Sequence, residues 1–236
     1  MRTERSYRYY DVLVGGSVAI LLCSNLIGPG KTVLLQLPFV GAVTFAAGNV
    51  FFPISYIFGD IFTEVYGFGR ARKAIWVGFG SMLFAAIMST VVLRLPADPR
   101  EPFNQVLQPA LDVAFGNTWR ISVASLTAYW AGDLVNSYVL AKMKVVTRGK
   151  YLWTRTVGST IAGQFVDSVI FYPLSFYGLL RSTTLAHVAM SNWLFKVSVE
   201  VILTPVTYAI VNALKRSEHA DYFDFDTNFS PFTLDE

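Results

Sequence analysis

Between Phe51 and Lys73 the chain reads FFPISYIFGDIFTEVYGFGRARK. An apolar run long enough to enter a bilayer carries two carboxylates, Asp60 and Glu64. It ends in a Gly-x-Gly and a basic cluster, Arg70, Arg72 and Lys73. A spacing of four puts both acids on one helix face. Steps of three or four back along that face reach Tyr56, Pro53 and Asn49. A charged side chain at the centre of a bilayer costs about 2.5–3.5 kcal/mol on insertion scales. Such a stripe must therefore face protein or a water-filled cavity. The plainer reading is a helix end whose acids pair with Arg70 or Arg72.

The remainder of the chain is as apolar as this stretch. Of its 236 residues 53% are hydrophobic and 15% charged, against about 25% charged in soluble domains. These proportions belong to a membrane protein. The single Cys23 excludes an intramolecular disulfide and a Cys-cluster metal site. His187 and His219 have no Cys or His at ligand spacing, so no metal and no haem is expected. Gly-x4-Gly-Lys-Ser/Thr, Gly-x-Ser-x-Gly, His-Glu-x-x-His and Cys-x-x-Cys are all missing, and Gly67-Phe68-Gly69 is too short for a dinucleotide fingerprint. The expectation is a non-enzyme without cofactors. Basic clusters sit at the ends of apolar stretches, where topology accounts for them, so no nucleic-acid partner is expected. The opening MRTERSYRYYDVLVGG has the charge pattern of a signal peptide but no clean cleavage site. It reads as a retained first span.

Six spans of about twenty residues can be placed at 9–27, 48–66, 74–95, 119–143, 156–180 and 187–214. The fold class is therefore an all-α integral membrane protein, multi-pass in the bacterial inner membrane. Residues 1–214 form the membrane domain and 215–236 a cytoplasmic acidic and aromatic tail. The connection Lys31–Ala47 carries Pro38, Gly41 and β-branched residues. It reads as non-helical or re-entrant, packed against protein because bare backbone is not tolerated in lipid. Pro96–Thr118 reads as a long polar loop. With six spans and both termini inside, thirteen Lys and Arg fall on the inner side and five on the outer, with Lys196 inside a span. That is the bias of cytoplasmic loops. Five or seven spans would spoil it.

The ionisable residues within the spans are Asp60, Glu64, Asp133, Asp167, Lys196 and Glu200, accompanied by Asn136 and Gln164. Asp133 and Asn136, Gln164 and Asp167, and Lys196 and Glu200 each share a helix face by spacing. A Lys196–Glu200 bridge would cancel one acid and leave the rest without a cation in the membrane. A local echo, AGDLVNS at Ala131–Ser137 and AGQFVDS at Ala162–Ser168, sets small residues beside polar ones. Small residues let helices approach closely, and internal repeats around a central site are common in transporters. Coincidence in a low-diversity apolar alphabet is the alternative. Carboxylates with carboxamides suit a flat ligand rich in N–H donors, because one carboxylate can accept two parallel N–H bonds. Tyr56, Trp130 and Trp193 are placed to stack on such a ring, and Asn49 lies on the same stripe as Tyr56. Glu64 or Asp167 reads as the main acceptor, with Asp60 next.

The block GNVFFPISYIFGDIFTEVYGFGRARKAIWVGF resembles the signature of the queuosine precursor transporter family, also called the vitamin uptake transporter family. AGQFVDSVIF and the tail stretch DFDTNFSPF are similar to its proteobacterial members. The resemblance covers nearly the whole chain. It implies a six-span inner-membrane carrier for 7-cyano-7-deazaguanine, with the aminomethyl analogue as a second candidate, in salvage for tRNA modification. It also implies a likeness to the substrate-binding components of energy-coupling-factor importers. The partners expected are a small deazapurine and the lipid bilayer, with a homo-oligomer left open. Two other readings stand beside it. One is a substrate-binding subunit that needs a separate ATPase module and takes another vitamin-like heterocycle. The other is a membrane enzyme using paired acids.

Overall fold

The computed structural model describes residues 7–26, 32–37, 41–46, 51–116, 119–178 and 181–233. Among these residues seven α-helices follow the order α1 Tyr10–Leu26, α2 Phe52–Ile61, α3 Phe68–Arg94, α4 Pro102–Phe115, α5 Trp119–Val146, α6 Leu152–Phe176 and α7 Ser182–Glu218. Between α1 and α2, β1 Thr32–Leu37 pairs antiparallel with β2 Gly41–Ala46, Leu34 opposite Thr44. Among the described residues this strand pair is the exception to an all-helical fold, and the β-branched Thr32, Val33, Val43 and Thr44 in its sequence favour it. The second difference is α4. The stretch 96–118 reads as loop from its polarity, yet Pro102 occupies the first turn and the Glu101 side chain caps Phe103 N. None of the described α4 side chains is buried.

The other six helices overlap the six apolar stretches in sequence, α2 with ten residues only. Among the described residues, α3 and α7 are long and apolar enough to cross a membrane by length and composition, and α1 is a shorter apolar helix. α5 and α6 carry Asp133, Asn136, Lys144, Arg155, Gln164 and Asp167, which dilute their hydropathy. α2 ends after ten residues in a π-helical segment, Phe62–Tyr66, every residue of which is buried. Gly67, at φ +88°, then turns the chain into α3. Large apolar side chains point outward along the long helices, Phe84 at 65% exposure and Ile202 at 72%. Water would penalise such faces and lipid would not.

Several chain ends and turns meet at one end of the molecule. Glu218, at the end of α7, accepts from Arg8 N and Tyr9 N at the start of α1 and from Tyr66 OH. Tyr10 OH donates to Arg70 O. After His219, at φ 48°, the C-terminal segment turns back. Its Asp224 carboxylate accepts Phe68 N at 3.0 Å, capping α3 from a distance in sequence. Arg72 Nη1 donates to Asn228 O and Ser230 O, and Trp76 Nε1 to Pro231 O. The tail thus climbs α3 in one-turn steps, with Phe229 against Phe68 and Tyr138 and Phe232 against Trp76 and Trp130.

Candidate functional site

The echo in α5 and α6 is a packing device. A Cβ on Gly163 would meet Asn136 Cβ at 2.7 Å and Gly132 O at 2.8 Å. One on Gly132 would meet Asp167 Cβ at 3.0 Å and Gly163 O at 3.1 Å. The two glycines let the helices touch, and each sets the other helix's polar residue beside it. Asn136 and Asp167 hold matching places in the two copies. The pairing Gly132–Asp167 and Gly163–Asn136 therefore follows an approximate two-fold relation.

On either side of this contact lies a polar core contributed by α2, α5, α6 and α7. Lys196 Nζ donates to Asp167 Oδ2 at 2.6 Å, and each side chain is about one-fifth exposed. Tyr56, Tyr172 and Asp133 lie close to this pair. Asn136 Nδ2 donates to Asp60 Oδ1 at 3.3 Å, and Glu200 of α7 faces the same carboxyl. Among the described residues, Ser55, Tyr56 and Asp60 Oδ2 on α2, Asn136 Oδ1 on α5, Gln164 Oε1 and Ser168 on α6, and both Glu200 oxygens on α7 are buried polar atoms without a hydrogen-bond partner. Buried polar groups are normally satisfied. The open hydroxyls and amide oxygens of α2, α5 and α6 make a surface prepared for a polar ligand, while the orphaned oxygens of Asp60 and Glu200 stand apart from it as a facing carboxyl pair. Beside it a cavity of about 40 Å³ is lined by Ser55, Gly59, Tyr129, Asp133, Asn136 and Ser137. Ligand pockets run to about 300–1,000 Å³, so a heterocycle enters only if helices part.

Glu64 belongs to a different cluster. It is fully buried in the π-helical segment, and Arg155 Nε and Nη2 bind its two oxygens at 2.7 Å each. Lys215 Nζ lies 2.5 Å from Oε1 and Lys144 Nζ 3.5 Å. Lys144 also donates to Glu64 O, to Asp221 and to Tyr222 O. Burial pushes the Asp221 carboxyl up, but the bonds from Lys144 and Lys215 outweigh it and hold it below the usual range. Asp224 is raised by burial, which the bonds from Thr227 and Phe68 N only partly offset.

Two expectations about charge pairing are corrected here. The cations on Glu64 come from α5, α6 and α7, not from the neighbouring Arg70 and Arg72, because the π-helical turn aims the carboxylate inward. Lys196 bonds Asp167 across the helix interface, not Glu200 on its own helix, although spacing allows either. The membrane acids are therefore less short of cations than the sequence implies. Among the described residues, what remains without a cation is centred on Asp60 and Glu200.

The structure brings together Tyr56, Asp60, Asp133, Asn136, Gln164, Asp167, Lys196 and Glu200 in the core of the same four helices. It places Trp130 against Trp76 and Phe232, on the side where the tail docks. Trp193 donates to Ile161 O and packs on the exposed Phe165. Trp130 Nε1 is itself buried without a hydrogen-bond partner among the described residues. Asn49 lies outside the described residues. Tyr129 and Tyr172 are the aromatics that sequence reasoning missed. Tyr129 stands one turn before Asp133, a signal that spacing could have given. Arg155 and Lys144, read only as topology markers, are buried partners of Glu64. Among the described residues no group of three His, Cys, Asp or Glu is placed to hold a metal.

Comparison with known proteins adds a lineage to this geometry. The family model described as "Putative vitamin uptake transporter" matches residues 46–210. The chain is 30% identical over 180 residues to the "Probable queuosine precursor transporter" of Bacillus subtilis (strain 168), covering 75% of this chain and 76% of that protein. It is 27% identical over 168 residues to the protein of the same description from Haemophilus influenzae, covering 70% and 67%. No solved structure matches the chain.

Proposed function

This chain belongs to the vitamin uptake transporter family, a family of transporters rather than enzymes, and on that premise we propose that it carries a queuosine precursor across the bacterial inner membrane. The substrate is 7-cyano-7-deazaguanine, with the aminomethyl analogue as a second candidate. The proposed path runs through six spans, with 1–214 as the membrane domain and both termini in the cytoplasm. The gathering of Arg8, Arg72, Lys144, Arg155 and Lys215 at one end of the molecule supports that orientation.

The observation that carries the reading is the polar core of α2, α5, α6 and α7, whose acceptors and donors match a guanine edge. The ring N–H and exocyclic amine of the base need a carboxylate, which Asp167 or Asp133 offers. Its carbonyl and ring nitrogen need donors, which Lys196, Asn136 and Gln164 offer. Tyr56 supplies an aromatic wall. Asp167 is the main acceptor in this scheme, exchanging part of its bond with Lys196 for the base.

Losing a charge-assisted hydrogen bond costs about 1.5–3 kcal/mol, or roughly ten- to more than a hundredfold in affinity. Asp167→Asn is expected to weaken binding of the labelled base by at least about tenfold in the purified protein. An analogue without the exocyclic amine should bind the wild type poorly and lose little further in that variant. Wild-type affinity in both Asp167→Asn and Asp133→Asn would overturn the assignment. Uptake into liposomes by the purified protein alone separates a self-sufficient carrier from a subunit that binds but needs a second chain to transport.

A further inference from the structure

Glu200, midway along α7, is fully buried, and neither carboxyl oxygen meets a donor among the described residues. The group it faces is the carboxyl of Asp60 on α2. Asp60 is 1% exposed. Its Oδ1 is held by Asn136, while Oδ2 also lacks a donor. Asn136 is itself more than nine-tenths buried, and its Oδ1 is open on the same spot.

Among the described residues, the groups that bear most on Asp60 are Glu200, Asn136 and Asp133 from the neighbouring helices and Glu64 from the π-helical segment after α2, and none of these is a cation. Glu64, in the π-helical segment after α2, is already matched by Arg155, Lys144 and Lys215. Lys196, one turn before Glu200, is bonded to Asp167. Two ionised carboxylates pressed together out of water repel each other and lose their hydration. A single proton removes both penalties. One carboxyl then donates O–H to the other, and the orphaned Asp60 Oδ2 and one Glu200 oxygen are satisfied together.

We propose that Asp60 and Glu200 form the proton-binding site that drives transport. In the step envisaged, one proton passes from periplasmic water to the facing carboxylates and leaves from them to cytoplasmic water, with no other bond made or broken. The inference rests on the transport reading above. The link between proton and base is α7. Its Glu200 joins α2, and its Lys196, one turn away, joins Asp167 on α6. A shift of α7 that opens one contact disturbs the other, so proton and base move in step.

The experiment uses the full-length protein in sodium-free liposomes with a trapped pH dye. Adding the base outside should acidify the lumen, and an inward proton gradient should raise accumulation. Glu200→Gln should still bind the base within about threefold of wild type, yet lose gradient-driven accumulation by at least about tenfold. Asp60→Asn should behave likewise. A measurement that needs no base stands beside this. Infrared difference spectra of wild type against Glu200→Gln should show the carbonyl stretch of a protonated carboxyl lost in the variant. Base uptake without lumen acidification, a requirement for sodium, or an unchanged infrared band would each overturn the proposal. Failure of the wild type to bind the base at all would instead overturn the substrate reading, and the infrared result would still decide the proton site.

Discussion

Three cations converge on the Glu64 carboxylate where no water reaches it. Arg155 binds both oxygens in the forked arrangement that a guanidinium fits best. Lys144 ties the same turn to the tail through Asp221 and Tyr222 O. Removing one member of such a set leaves buried charges unmatched, at a cost of about 3–5 kcal/mol. Glu64→Ala is therefore expected to lower the melting temperature of the purified protein sharply. The fraction that folds should bind the base within a few-fold of wild type. Thermal unfolding and base binding, measured on the same preparation, decide between the two roles open to Glu64. Unchanged melting with lost affinity would move it into the base site. The acidic stripe was legible from spacing, as was the helix that carries it. The division of labour along it was not. A single π-helical turn separates Glu64 from Asp60 in direction, and no residue type announces such a turn.

Among the elements, the C-terminal segment is bound by groups that a sequence does not advertise. Its own backbone carbonyls accept from Arg72, Trp76 and Lys144, and it packs on two glycines and the start of α3. Tyr222 lies where a Cβ on Gly67 would stand, and Phe223 packs against Gly149, both glycines with positive φ. The α5–α6 echo was legible because the contact it makes is written in matching residues. The tail was legible only as acidic and aromatic. Two of its acids, Asp221 and Asp224, act in opposite directions with pH. Asp221, held below the usual range by Lys144 and Lys215, supports docking above the free carboxyl's value, and that support fades as pH falls through the lower docked value. Asp224, raised by burial, works against docking while it is charged and relaxes as pH falls through its raised value. Lowering pH from neutral should first tighten the tail, then release it once Asp221 is protonated. Hydrogen exchange of residues 219–233 measures this directly. Protection should pass through a maximum in mild acid, and Asp224→Asn should flatten the rise on the neutral side. Protection that falls steadily from neutral pH would show that Asp224 docks as the charged form without penalty.

For the molecule as a whole, the decisive property is which end faces which water. Polar contacts run through the centre and along one end, and large apolar side chains cover the outside of α3 and α7. A chain built this way is stable only where lipid surrounds that outside. At one end the start of α1, the α2–α3 turn, the α5–α6 turn and the tail are joined through Glu218, Tyr10, Lys144 and Arg72. At the other, Gln108 of α4 reaches Leu93 O at the end of α3, and Arg120 reaches Leu174 O and Tyr177 O. Basic residues crowd the first end, and the inner side of a membrane holds such an excess. The expected arrangement puts the tail in the cytoplasm and α4 outside. Val106, 71% exposed on α4, and Phe225, 70% exposed on the tail, are suited to single-cysteine labelling once the exposed Cys23 is replaced by serine. A membrane-impermeant maleimide applied to intact spheroplasts should label Val106→Cys and spare Phe225→Cys until the membrane is broken. The reverse pattern would invert the molecule, and labelling of both from outside would require an even number of crossings between α4 and the tail, where α5, α6 and α7 make three. The same reagent then tests transport geometry. If helices must part to admit a base into a core this tight, added substrate should change the labelling rate at cysteines lining the small cavity, such as Ser55→Cys, while the rate at Val106→Cys stays constant.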